Sequence, residues 1–196
     1  MPIDPAVLAK SLSTLNDLDP TRDLPATMRQ AVLAAKQLFD AQAAGTMLAD
    51  DDGQLRWASA SDQRAQTLED NQEIFAAGPC AQAYTTGKPA VMHDATLERR
   101  WGEIALTFVE VQIRSGVSVP VELGGGPIGT LDVYTVDPRD WDDNEVRALQ
   151  AYAGVVASLL AAAVDAELKG ALATQLQTAL DSRVLIEQAK DAGLTR

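Results

Sequence analysis

Apolar positions change period several times along this chain, and each change marks an element. Met28, Ala31, Val32, Ala35, Leu38 and Phe39 recur at helical spacing and predict a helix from about Leu24 to Phe39. Upstream, Asp4-Pro5 is a helix start and Leu8, Leu12 and Leu15 share one face, which predicts an N-terminal helix ending near Asp19-Pro20. The alternating runs GTMLAD and QLRWASAS flank DDDG, a hairpin signature. Ser61 to Asn71 is polar without apolar period and predicts irregular structure; a short helix through Cys80 to Thr85 and a short strand at PAVMHD follow. TLERRWGEIALTFVEVQIR predicts a helix with Trp101, Ile104, Ala105, Phe108, Val109 and Ile113 facing inward. GVSVPVEL and IGTLDVYTV alternate on either side of GGGP and predict a second hairpin.

The last pattern is the longest. Asp142 and Glu145 are spaced as a capping box and open a proline-free run to the end of the sequence, about 50 residues of helix, in one piece or two in line. Leu149, Ala153, Val156, Leu160 and Ala163 form a first stripe, and Leu168, Leu172, Leu176 and Leu180 continue it at spacing four. The second stripe has no partner within one chain, and a parallel helix from a second copy would bury it, so these leucines predict a homodimer. Gly154 and Gly170 are the weak points of such a helix. Together the elements predict an α+β fold with a central antiparallel sheet flanked by helices (α/β/α) and a long C-terminal helix.

Composition narrows the setting. The 196 residues are 46% hydrophobic and 22% charged, enough apolar surface for one domain with a sizeable core plus extra helix. One cysteine cannot form an internal disulfide, and MPIDPAVLAK lacks the basic start and apolar run of a signal peptide, so a reducing cytoplasm is expected. AGVVASLLAAAV is short for a membrane span and reads as a buried helix face, so no membrane anchoring is expected. The net charge of -12 opposes binding to phosphate backbones, but the segment from Asp165 onward carries four basic and five acidic residues. Any nucleic-acid contact is therefore expected at the C-terminal end.

Five elements carry a family resemblance: GPCAQAYTTG, VMHD, RRW, GVSVP and GTLDVY follow one another in order. They resemble the GAF domains of actinobacterial regulators, over about Leu24 to Ala163. After them TALDSRVLIEQAK is similar to the opening of an ANTAR domain, an RNA-binding antitermination module, with Ser182, Arg183, Ile186, Glu187, Ala189 and Lys190 matching. The match stops at DAGLTR, where that family continues with glycine and two further helices. With the N-terminal helix read from the residues at 1–22, the resemblance implies a GAF sensor at 23–164 and a helical linker with the incomplete start of an ANTAR domain at 165–196. It implies a dimeric sensor of an unknown small molecule, regulating antitermination, with Arg183 and Lys190 as candidate RNA contacts and RNA as a partner only of a complete output domain. A stand-alone ligand-binding and dimerisation module is the alternative.

The only cysteine and the only histidine fall in Gly78 to Asp94. A nucleophilic thiol needs a base or positive neighbour, and no such constellation accompanies Cys80. The methionine-sulfoxide-reducing GAF proteins need a second thiol, which is missing here, so no catalytic residue and no enzyme activity are expected. His93 could supply a lone axial haem ligand, without other support, and the cofactor stays unassigned. No Cys/His cluster of the zinc-site type exists, so no metal is expected. The N-K-x-F-D-E pattern of cyclic-nucleotide-binding GAF domains is missing, and GGGP joins two strands as a turn rather than opening a phosphate loop. A largely apolar ligand pocket remains, with Trp57, Cys80, Tyr84, Met92, His93, Trp101, Ile104 and Phe108 as candidate lining residues.

Overall fold

The computed structural model describes residues 23–191, with side chains to Gly170, and Ser13. The helix expected over 1–22 otherwise lies outside the described residues. Helix α1 (Leu24–Leu38) begins where Asp23 Oδ1 accepts the Ala26 N–H at 2.8 Å, with Pro25 in the first turn. Strands β1 (Ala43–Ala49) and β2 (Leu55–Ala60) form the first hairpin, and helices α2 (Gln63–Phe75) and α3 (Pro79–Thr86) follow. Strand β3 (Ala90–Met92), helix α4 (Ile104–Glu110), strands β4 (Ser115–Leu123) and β5 (Gly126–Thr135), and helix α5 (Asp143–Asp191) complete the order. The five strands pair antiparallel throughout in the order β2-β1-β5-β4-β3, giving the expected α/β/α arrangement.

Period-two alternation sends successive side chains to opposite faces of this sheet. Val117, Val119 and Val121 of β4 and Leu131 and Val133 of β5 pack in one apolar cluster with Met28, Val32 and Phe39 near α1 and Leu149, Tyr152, Val156 and Leu160 of α5. Tyr152 also donates its hydroxyl to the Ala31 carbonyl at 3.0 Å, tying α5 to α1. The other face carries Ala43, Met92 and Tyr134, covered by Leu68 of α2 and Ile104 and Phe108 of α4.

The capping box is present: Asp142 Oδ1 accepts the Asn144 and Glu145 N–H groups at 2.8 and 2.9 Å, and Glu145 Oε2 accepts the Asp142 N–H at 3.1 Å. Helix α5 runs unbroken through Gly154 and Gly170. Its part from Asp143 to Gly170 is long and apolar enough to cross a membrane, yet one stripe of it forms the core beneath the sheet. Beyond Leu160 that stripe leaves the domain: Val164 is 52% and Leu168 66% exposed.

Two expectations fail locally. Ser61 to Asn71 is not irregular; it enters α2, capped by Asp62, whose Oδ1 accepts the Arg64 and Ala65 N–H groups. The buried face of α2 is Ala65, Leu68, Glu69 and Gln72, so two of its four inward residues are polar and no apolar period could appear. The helix expected over Thr96 to Arg114 is only seven residues long, because Gly102 takes a φ of 60° on one side and Gln112 a φ of 62° on the other. Val109, expected inward, is exposed, and Trp101 is half-buried.

Candidate functional site

A row of small residues crosses the sheet on the α2–α3 side. Ala60 of β2 pairs with Gly45 of β1, Gly45 with Asp132 of β5, Asp132 with Ser118 of β4, and Ser118 with Ala90 of β3. Small side chains in register leave a recess, and the one carboxylate in the row stands at its centre. Glu69 of α2 reaches into the recess over Gly45, where an added Cβ would collide with its carboxylate. Cys80 arrives from the other side, at the start of α3. There Gly78 turns the chain at φ 115°, a conformation that favours glycine, and Pro79 opens the helix.

These groups form one hydrogen-bonded cluster in which Glu69, Cys80, Asp132 and Tyr134 are fully buried. Tyr134 donates to Glu69 Oε1 at 3.0 Å, and the Cys80 thiol donates to Glu69 Oε2 at 3.4 Å. Cys80 Sγ also lies 3.5 Å from Tyr134 Oη and 3.6 Å from Ser118 Oγ. Gln72 links the cluster outward, since its amide donates to Tyr134 Oη at 3.2 Å and its carbonyl accepts the Cys80 N–H at 2.9 Å. Asp132 Oδ2 accepts from Thr130 at 2.9 Å, while its Oδ1 is buried with no hydrogen-bond partner among the described residues.

Burial is the leading cause of every charge effect here. It pushes Glu69 well above the usual carboxylate range, helped by the charge of Asp132 and opposed by the Tyr134 and Cys80 hydrogen bonds. It raises Asp132 to about 7, against the favourable influence of nearby Ser118, Thr130 and Cys80. The Cys80 thiol is likewise pushed up by burial and by both carboxylates, the opposite of an activated nucleophile. No cationic side chain hydrogen-bonds to either carboxylate among the described residues.

Above the cluster lies a cleft of about 210 Å³ between β2, α2 and α3, with Gln72 on its floor and Arg56, Glu73, Ala81 and Tyr84 among its walls. Arg56 is held by Asp50 and Glu73, each at 2.9 Å. A second cleft of about 400 Å³ opens beside Gly78, Gln82, Arg100 and Trp101. Trp101 donates to Gln82 Oε1 at 2.9 Å, and the Arg100 guanidinium lies 4.2 Å from its ring centre.

The eight predicted lining residues therefore separate. Met92, Ile104 and Phe108 are solid core, joined to Cys80 through Tyr134, whose ring Phe108 meets edge-on at 5.8 Å. Tyr84 lines the smaller cleft and Trp101 the larger. Trp57 is exposed on β2, and His93 is exposed at the sheet end, with Nδ1 3.2 Å from the Arg139 carbonyl and 3.4 Å from Asp140. Leu168 is exposed on α5, whereas the side chains of Leu172, Leu176, Leu180, Arg183 and Lys190 lie outside the described residues. Sequence reading missed Glu69, Gln72, Ser118, Asp132 and Tyr134. For Asp132 a signal existed: it has the same parity as Tyr134 in a strand whose every residue from Gly129 on is buried.

The GAF domain family pattern matches residues 21–161, most of the chain. The chain belongs to the GAF domain family. No protein of curated function matches it. Among solved structures it is similar to a free methionine-R-sulfoxide reductase from Neisseria meningitidis in complex with its substrate, at 21% identity and TM-score 0.65, covering 82% of this chain and 89% of that one. It is also similar to the GAF domain of an Acinetobacter phosphoenolpyruvate-protein phosphotransferase, at 13% identity and TM-score 0.64, covering 82% and 94%. A type II free methionine-R-sulfoxide reductase from Thermoplasma acidophilum shares 18% identity at TM-score 0.59, covering 72% and 94%. At these identities the likeness shows the fold alone.

Proposed function

We propose that this GAF domain senses a small molecule at the cleft over Gln72 and reports its occupancy through α5. One observation carries the reading: the polar cluster and α5 lie on opposite faces of the same two strands. Ser118 and Asp132 contribute to the cluster, while their immediate neighbours Val117, Val119, Leu131 and Val133 pack with α5. A shift at the cleft therefore needs to cross only one strand thickness to bias the helix, which is all that coupling by population shift demands. In this reading the leucine stripe that leaves the domain at Leu168 pairs two copies in the cytoplasm, and the segment from Ser182, similar to the opening of an ANTAR domain, leads to an RNA-binding output. Replacing Leu172 and Leu176 with Asp then gives a folded monomer in light scattering; a persisting dimer places the interface elsewhere.

The reductase neighbours make free methionine sulfoxide a ligand to test, but they do not favour turnover. Cys80 is the single thiol of the chain, buried and pushed toward its protonated form. The deciding experiment is an NMR titration of the whole chain with a panel of small metabolites that includes L-methionine sulfoxide. A sensor predicts at least one saturable ligand whose shifts centre on Arg56, Gln72 and Tyr84 and disappear in Tyr84→Ala. Ligand shifts confined to other surfaces would remove the cleft from the account.

A further inference from the structure

We propose that Glu69, Cys80 and Asp132 form a binding site for one divalent transition-metal ion of the zinc and cobalt type. One ligand atom from each residue lies within 4.8 Å of the others, and all three residues are buried. In a tetrahedral zinc site with bonds of about 2.0–2.3 Å, neighbouring ligand atoms stand about 3.5 Å apart. The Cys80 Sγ to Glu69 Oε2 separation of 3.4 Å already has that value. Asp132 completes the set within the same 4.8 Å, and its Oδ1 accepts no hydrogen bond that metal binding would break.

The ligand set selects the metal. One sulfur and two carboxylates suit a borderline ion such as Zn²⁺, Co²⁺ or Fe²⁺, whereas Ca²⁺ takes six to eight oxygens and Mg²⁺ an octahedral, largely hydrated shell. Two buried carboxylates without a cationic partner are costly, and a divalent ion supplies the countercharge that no Lys, Arg or His provides among the described residues. Tyr134 and Thr130, which hydrogen-bond the carboxylates of Glu69 and Asp132, would orient the ligands from outside. Three protein ligands leave a fourth position for a water or another small ligand. The spacing of Cys and His in the sequence gives no hint of this site, because its ligands come from α2, α3 and β5. The site is independent of what the cleft binds, so failure of either proposal leaves the other standing.

The test titrates the whole chain with Co²⁺ alone, after treatment with a chelator and desalting. One equivalent should bind with a sulfur-to-cobalt charge-transfer band in the near ultraviolet. Cys80→Ser should remove the band, and Glu69→Gln and Asp132→Asn should each weaken binding at least about tenfold, with circular dichroism confirming that each variant is folded. X-ray absorption of the Zn²⁺-loaded wild type needs no variant and should find one sulfur with oxygens in the metal shell. The proposal is overturned by a titration without saturable binding, by a shell without sulfur, or by folded variants that bind as tightly as the wild type.

Discussion

Replacing Asp132 by Asn removes one of the two carboxylates that burial drives toward the protonated form, and the consequence is a change in the pH dependence of stability. Folded, Asp132 titrates at about 7, against an ordinary 3.8. The native state therefore holds this proton more tightly than the unfolded state. Its contribution to stability is complete below about pH 4, is lost as pH rises toward 7, and stays lost above. Three pKa units correspond to about 4 kcal/mol, or a fall in Tm on the order of 10 °C for a chain of this size. Carboxylates held down by arginine, such as Asp94 beside Arg114, titrate below this window and do not offset it. Asn keeps the shape and can still accept from Thr130, so the variant should retain the fold. The assay is urea unfolding at intervals from pH 4.5 to pH 8.5, with chelator present so that only protons compete for the site. Wild type should lose stability across the range, and Asp132→Asn should lose about 3 kcal/mol less, the remainder belonging to Glu69. Parallel curves would refute the reasoning, because they would show that Asp132 is already solvated or paired.

Gly78→Ala forces a side chain onto a φ of 115° and brings its Cβ to 2.5 Å from Gln72 Oε1, so unfolding free energy should fall by about 1–3 kcal/mol in urea titration. The buried thiol should react with a maleimide at least about 100-fold more slowly in native protein than in denaturant, and equal rates would place Cys80 at the surface.

How much of this was legible varies along the chain in a physically consistent way. Helix α1, both hairpins and the capped start of α5 were readable because their inward residues are apolar and their turns carry Asp-Gly or glycines. Helix α2 was not, because a helix whose buried face includes Glu69 and Gln72 has no amphipathic signature. The site was hidden for the same reason. In sequence Glu69 resembles Asp70 beside it, and only the close approach of β1, made possible by Gly45, distinguishes the buried carboxylate from the outward one. Cys80 was singled out for its rarity, yet its neighbours come from 11 and 52 positions away and could not be paired with it by spacing. The separation of Trp57 and His93 from the core candidates depends on strand register and sheet ends, which alternation alone does not fix.

The central claim is that the buried cluster on one face of the sheet and α5 on the other form a coupled pair. Hydrogen–deuterium exchange of the whole chain, wild type against Asp132→Asn at one neutral pH, tests it most directly. Coupling predicts that amides of α5 between Leu149 and Leu160, which pack on β4 and β5, change protection by about tenfold together with those of α2 and α3. Changes confined to α2, α3 and the strands, with α5 untouched, would contradict the account.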